Sequence, residues 1–155
     1  MDYWWNRFLK SLKGLYVVSL IFLFTPFLYS QPIVHTAGDS WQFQVDSAFS
    51  IIKRYDPKKY ELLDSVCDEV DFWLGDFSSC FYKQGSSVIY ISVDDVKLNS
   101  INNLACILVH ESLHLYFDSA GLHPPKSAEE KICYAYELDF LRKIPNAEPW
   151  LLDHA

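Results

Sequence analysis

Positive charge is scarce in this sequence. Thirteen Lys and Arg stand against 20 Asp and Glu, for a formal net charge of −7 over 155 residues. Arg7, Lys10 and Lys13 against Asp2 leave residues 1–30 at +2, so the remainder carries −9. An acidic domain has no electrostatic reason to bind a polyphosphate backbone, and no basic patch is present, so nucleic acid is excluded as a partner. No glycine-rich phosphate loop and no internal repeat occur, which removes nucleotide-binding and solenoid readings. C-x-x-C is missing too, which argues against a separate cysteine-based zinc site. Low complexity is also lacking: half the residues are hydrophobic and 17% aromatic, enough to build a packed core rather than a disordered chain.

What is present falls into two parts. Arg7, Lys10 and Lys13 precede an apolar run from Leu15 to Tyr29, and no charge follows until Asp39. A basic lead and an apolar segment describe a cleaved signal peptide or an uncleaved signal anchor. Tyr3, Trp4, Trp5 and Tyr29 flank the run as an interfacial belt does. Residues 1–38 are therefore expected to be a hydrophobic N-terminal helix with a linker, in contact with the membrane. Residues 39–155 are expected to form one domain on the non-cytoplasmic side of a single-pass protein. There the four cysteines, Cys67, Cys80, Cys106 and Cys133, can oxidise, with three pairings open.

Periodicity divides the domain. Trp41, Val45, Ala48, Phe49 and Ile52 recur at helical spacing, and Asp56-Pro57 caps a second helix whose inner face is Tyr60, Leu63 and Cys67. Alternation then predicts strands near 70–74, 79–82 and 88–93, the last rich in β-branched residues. A helix follows over about 104–117, with Ser100 as cap and Gly121 as stop, and another from Ser127 to about Lys143.

The helix over 104–117 carries the chemistry. Leu104, Ile107, Leu108, Val109, Leu113 and Leu115 leave it almost no polar face, yet its centre reads His110-Glu111-Ser112-Leu113-His114. Positions four apart lie one above the other, so both imidazoles can reach one metal ion, with Glu111 beside them as a base for a polarised water. Two buried histidines and a carboxylate are costly unless something compensates them, and Zn2+ would. The last helix offers a third ligand. Glu130, Cys133, Tyr134 and Glu137 share one face. Glu130 is the candidate ligand, and Glu137 the candidate partner for the second nitrogen of an imidazole. Glu137 and then Glu129 are alternative ligands. Ser127-x-x-Glu130 also reads as a capping box, which would occupy Glu130 otherwise. Cys106, one turn before His110, reads as a small buried thiol, and His123 as a loop histidine.

The motif His110-Glu111-Ser112-Leu113-His114, with Glu130-x-x-Cys133-x-x-x-Glu137 on a second helix, resembles the gluzincin group of zinc metallopeptidases. The resemblance covers about residues 86–142. Together with the periodicity above, the expectation is an α+β, zincin-like domain: two N-terminal helices, a short three-stranded antiparallel sheet, the H-E-x-x-H helix and a C-terminal ligand helix. It also implies a hydrolase acting on a peptide or protein substrate laid along the Val88–Val93 strand as an edge. Zinc would be held by His110, His114 and Glu130, and Glu111 would be catalytic. The His114-to-Glu130 spacing is shorter than that group's, and no Tyr or His is assigned to oxyanion stabilisation. The competing expectation is a membrane-anchored binding or assembly protein whose metal site is structural or vestigial.

Overall fold

The structure, a computed structural model, describes residues 33–35, 39–73, 81–82, 84–92 and 100–154. The basic lead, the apolar run and Cys80 lie outside the described residues. Among the described residues, no helix is long and apolar enough to cross a membrane. The chain divides into two units, Met1–Ser30 and Gln31–Ala155, and the elements below belong to the second.

The second unit is α+β. In chain order it runs β1 (Ile33–His35), α1 (Asp39–Tyr55), α2 (Pro57–Val66), β2 (Glu69–Trp73), β3 (Phe81–Tyr82), β4 (Val88–Ser92), α3 (Ile101–Ser119), α4 (Lys126–Leu141) and α5 (Pro149–His154). Local chemistry explains the helix boundaries. Asp56 caps α2, its carboxylate accepting the Lys59 backbone N–H at 3.4 Å, with Pro57 at the first position. Ser100 caps α3 by accepting the Asn103 N–H at 3.1 Å. At the other end of α3, Leu122 N–H donates to Phe117 C=O at 2.8 Å while Gly121 takes φ +66°, a Schellman-type stop.

The sheet differs from the expected three-stranded antiparallel one. Among the described residues it has four strands, in the order β1-β2-β4-β3. β1 runs parallel to β2, and β2 parallel to β4, with Val70 opposite Ile89. Only β3 and β4 are antiparallel, pairing Tyr82 with Ile89. The physical reason is the crossover: α1 and α2 lie between β1 and β2, and parallel neighbours need such a long connection. β1 falls in the segment read as linker, and three residues are too few to show alternation. The strand expected as a peptide-binding edge is not one over its described residues, because β4 is flanked by β2 on one side and β3 on the other.

One core joins the elements. Val45, Phe49 and Ile52 of α1, Leu63 of α2, Val70, Ile89 and Ile91 of the sheet, and Leu104, Leu108 and Val109 of α3 are all buried in it. α3 packs against α1, α2, α4, β3 and β4, which is why its sequence is apolar on nearly every side. α2 and α4 are also tied by charge. Lys143 Nζ lies 2.7 Å from Asp56 and 2.8 Å from Asp139. Lys59, only 4% exposed, sits 3.2 Å from Asp139 and 3.1 Å from the centroid of the Tyr136 ring. Burial lowers the Lys59 pKa, against the pull of Asp139 and Asp56.

Candidate metal centre

Eleven residues of α3 are buried, and three of them are His110, Glu111 and His114. α4 packs along α3 and brings up Glu129, Glu130, Cys133 and Glu137. It begins at Lys126, with Pro125 as N-cap and no side-chain cap bond, so the Ser127–Glu130 capping box does not form. Its absence releases the Glu130 carboxylate to face the histidines.

The carboxylates of α4 take three places. Glu137 Oε2 lies 3.0 Å from Nδ1 of His110, and Glu129 Oε1 lies 2.6 Å from Nδ1 of His114. A carboxylate can only accept, so each Nδ1 carries the donated proton. In the neutral ring the other nitrogen is then a bare lone pair. Those two lone pairs converge: Nε2 of His110 and Nε2 of His114 are 3.2 Å apart. Glu130 Oε2 completes the group at 3.5 Å from the first and 3.7 Å from the second. Three electron-pair donors facing one another repel unless a proton or a metal cation sits among them. The centre of their triangle is about 2.0 Å from each corner, close to the length of a zinc–nitrogen or zinc–oxygen bond.

Cys133 is a second neighbour of the pair. Its Sγ and one nitrogen from each histidine lie within 4.8 Å of one another, and all three residues are buried, so His110, His114 and Cys133 form a group that can hold a metal ion. Burial, then the nearby glutamates, push the Cys133 thiol up to about 12. Without a metal to displace its proton it is a thiol. Cys67, Cys106 and Cys133 are all free, so no disulfide joins the described cysteines.

The field of the site is negative. Burial opposes protonating His110, yet its hydrogen bond to Glu137 and the charges of Glu111, Glu137 and Glu130 together raise its pKa. Burial raises the Glu111 pKa as well; His110 and His114 oppose this, and Glu130 and Glu137 add to it. Glu111 lines a cleft of about 840 Å³ together with His110, His114, Glu130, Tyr82 and Tyr134. Tyr82 lies flat on His114, with ring centroids 5.4 Å apart at 14°. The hairpin turn that carries Tyr82 toward the site is pinned to the end of α3, where Gly85 N–H donates to Asp118 Oδ2 at 2.7 Å. Tyr134 sets its ring edge-to-face against His110, at 4.7 Å and 66°.

Four residues singled out from sequence, His110, Glu111, His114 and Glu130, thus meet at one cleft, with Glu137 behind His110. Cys106 is fully buried and outside the group, and His123 is exposed and does not line the cleft. Sequence reasoning had no role for Glu129 as a partner of His114, nor for Tyr82 and Tyr134 as cleft walls. The i, i+4 relation of Glu130 and Tyr134 was the available signal for the last of these. Compared with protein-family models, curated proteins and solved structures, the chain gives no match.

Proposed function

We propose that this chain is a zinc-dependent metallopeptidase of gluzincin type, with His110, His114 and Glu130 as the ligands and Glu111 as the general base. The observation that carries the reading is the convergence of His110 Nε2, His114 Nε2 and Glu130 Oε2 within 3.2 to 3.7 Å of one another. The carboxylate behind each imidazole is the usual accompaniment of a metal-bound histidine. Zinc, when bound, supplies a Lewis acid that polarises a carbonyl and brings the pKa of a water toward neutrality.

The chain's own residues do the rest. Glu137 and Glu129 hold the Nδ1 protons and so fix the tautomer that points both Nε2 atoms the same way. Glu111, buried at the cleft wall, takes a proton from the attacking water and passes it to the leaving amine. Its raised pKa suits that duty, since a carboxyl tuned toward neutral pH both accepts and returns a proton. The substrate is an extended peptide or protein segment entering the cleft beside Tyr82 of β3, and the apolar run over residues 15–29 anchors the domain to a membrane on its non-cytoplasmic side.

A second reading has its own observation. If the Cys133 thiolate joins the two histidines and Glu130, the ion has four protein ligands, and closed sites of that kind are structural. The chain would then be a membrane-anchored binding or assembly protein. Purified chain, its zinc content measured by elemental analysis, should hold about one zinc and cleave members of a pool of unstructured peptides, read by mass spectrometry. One zinc with no cleavage would favour the structural site, and a folded, metal-free chain indifferent to chelators would sink both readings.

A further inference from the structure

The described cysteines are of two kinds. Cys67 and Cys106 belong to the main hydrophobic core, the ordinary place for a small buried thiol. Cys133 is 0% exposed as well, yet it is not part of that core. It stands among charged groups instead, with Glu130, Glu129, Glu111 and Glu137 acting on it. Among the described residues its Sγ has no hydrogen-bond partner, and it lies with one nitrogen of His110 and one of His114 inside 4.8 Å. Atoms that close leave a point no more than about 2.8 Å from each of them. A shift of under about 1 Å then closes metal bonds of about 2.3 Å to sulfur and 2.0 Å to nitrogen.

The histidine pair therefore has two neighbours on α4, and they differ in chemical kind. Glu130 offers a hard carboxylate oxygen and lines the cleft. Cys133, three residues later on the same face of α4, offers a soft sulfur and does not line the cleft. Zinc is a borderline ion and is served by imidazole with either donor. A soft monovalent ion gains little from a carboxylate and binds where sulfur and imidazole meet.

We propose that the histidine pair has a second set of partners: His110, His114 and Cys133 form a site for the soft monovalent cation Cu(I). The inference shares the histidine pair with the metallopeptidase reading and does not depend on peptide hydrolysis. On binding, the S–H bond of Cys133 breaks, a copper–sulfur bond forms and the proton leaves to water. Copper stays Cu(I), so no electron is exchanged. Both sets use the same two imidazoles, so zinc and Cu(I) exclude each other.

The test uses the full-length, metal-free chain carrying Cys80→Ser, since Cys80 lies outside the described residues and would offer copper a thiol of its own. Cu(I), supplied without oxygen, is titrated in competition with bicinchoninate, and zinc in competition with a colorimetric zinc chelator. About one Cu(I) should bind, and X-ray absorption at the copper edge should show one sulfur and two imidazole nitrogens. Cys133→Ser keeps the side chain's shape and replaces the soft donor by a hard one. It should bind Cu(I) about 10²-fold or more weakly, one ligand's share of a site's affinity, and bind zinc as before. Glu130→Gln should do the reverse, weakening zinc and leaving Cu(I) unchanged. A copper edge without sulfur, or a Cys133→Ser chain with unchanged Cu(I) affinity, overturns the inference and leaves the zinc reading standing. So does a Glu130→Gln chain that loses Cu(I) and zinc alike. If Cys133→Ser fails to fold, the copper-edge spectrum of the parent chain decides alone. A chain that binds Cu(I) through sulfur but no zinc sinks the peptidase reading only, and a chain that binds neither ion sinks both.

Discussion

Replacing Glu111 by Gln separates a hydrolytic site from a structural one. The change keeps the side chain's shape and removes its charge and its basicity. Glu111 is 8% exposed, and its ionised form sits in a field already made negative by Glu130 and Glu137. Removing that charge relieves desolvation and like-charge repulsion, so the metal-free variant should be at least as stable as wild type. A gain of 1 kcal/mol would raise Tm by about 3–6 °C in a domain of this size. Zinc stoichiometry should hold, because the proposed ligands His110, His114 and Glu130 are untouched. Turnover should fall by about 10²-fold or more, the contribution of a general base, which corresponds to about 2.7 kcal/mol of activation free energy. Elemental analysis, thermal melts and mass-spectrometric peptide cleavage read the three quantities from one preparation. A Glu111→Gln chain that binds zinc and cleaves as fast as wild type would refute the assignment of the base.

The ligand set predicts a contrast: Glu130→Gln should lose zinc affinity and activity together, whereas Cys133→Ala should keep both, and competition with a colorimetric chelator measures each. Zinc loss in Cys133→Ala alone would move the ligand assignment to the thiol. Glu137→Gln and Glu129→Gln should each weaken zinc or activity about 10–100-fold, as partners of liganding histidines do. The metal-free chain should lose stability as pH rises. The folded pKa values of His110 and Glu111 both lie above their ordinary 6.5 and 4.5, so the folded state binds these protons more tightly than the unfolded one. That stabilisation is fully present below the ordinary values and is lost as pH climbs through the raised ones. Calorimetric Tm in chelator should therefore fall as pH climbs above the ordinary 4.5 of Glu111 and further as it climbs above the ordinary 6.5 of His110, and saturating zinc should flatten the curve. In the core, Leu108→Ala should cost about 2–5 kcal/mol by urea denaturation, since Leu108 is fully buried in the main core.

Much of this arrangement was legible because it is local. His110 and His114 at i, i+4 on an apolar helix need no tertiary information to be placed on one face, and Ser100, Asp56 and Gly121 mark helix ends by chemistry confined to a turn. The sheet was not local in that sense. Alternation identifies strands but is silent on neighbours, so a βααβ crossover that makes β1 and β2 parallel looks the same in sequence as a meander. Glu129 shows a finer limit. It and Glu130 are adjacent, about 100° apart around α4, and which of them reaches the lone pairs and which the Nδ1 of His114 depends on the azimuth at which α4 lies against α3. Cys133 and Tyr134 shared the same uncertainty: their helical face was readable, their distance from the imidazoles was not.

The charged tie between α2 and α4 gives the last helix two fastenings of different kind. Near its C-terminal end, Lys59 and Lys143 hold Asp139 whether or not a metal is present. Near its start, Cys133 is buried against α3, and the polar ties among the described residues run from Glu129, Glu130 and Glu137 to the two histidines. A metal ion held by His110, His114 and Glu130 would act as a clasp, adding a fastening to the first half of a helix whose far end is tied by charge. Amide hydrogen exchange would therefore slow on metal addition over residues 126–137 and change little over 138–143.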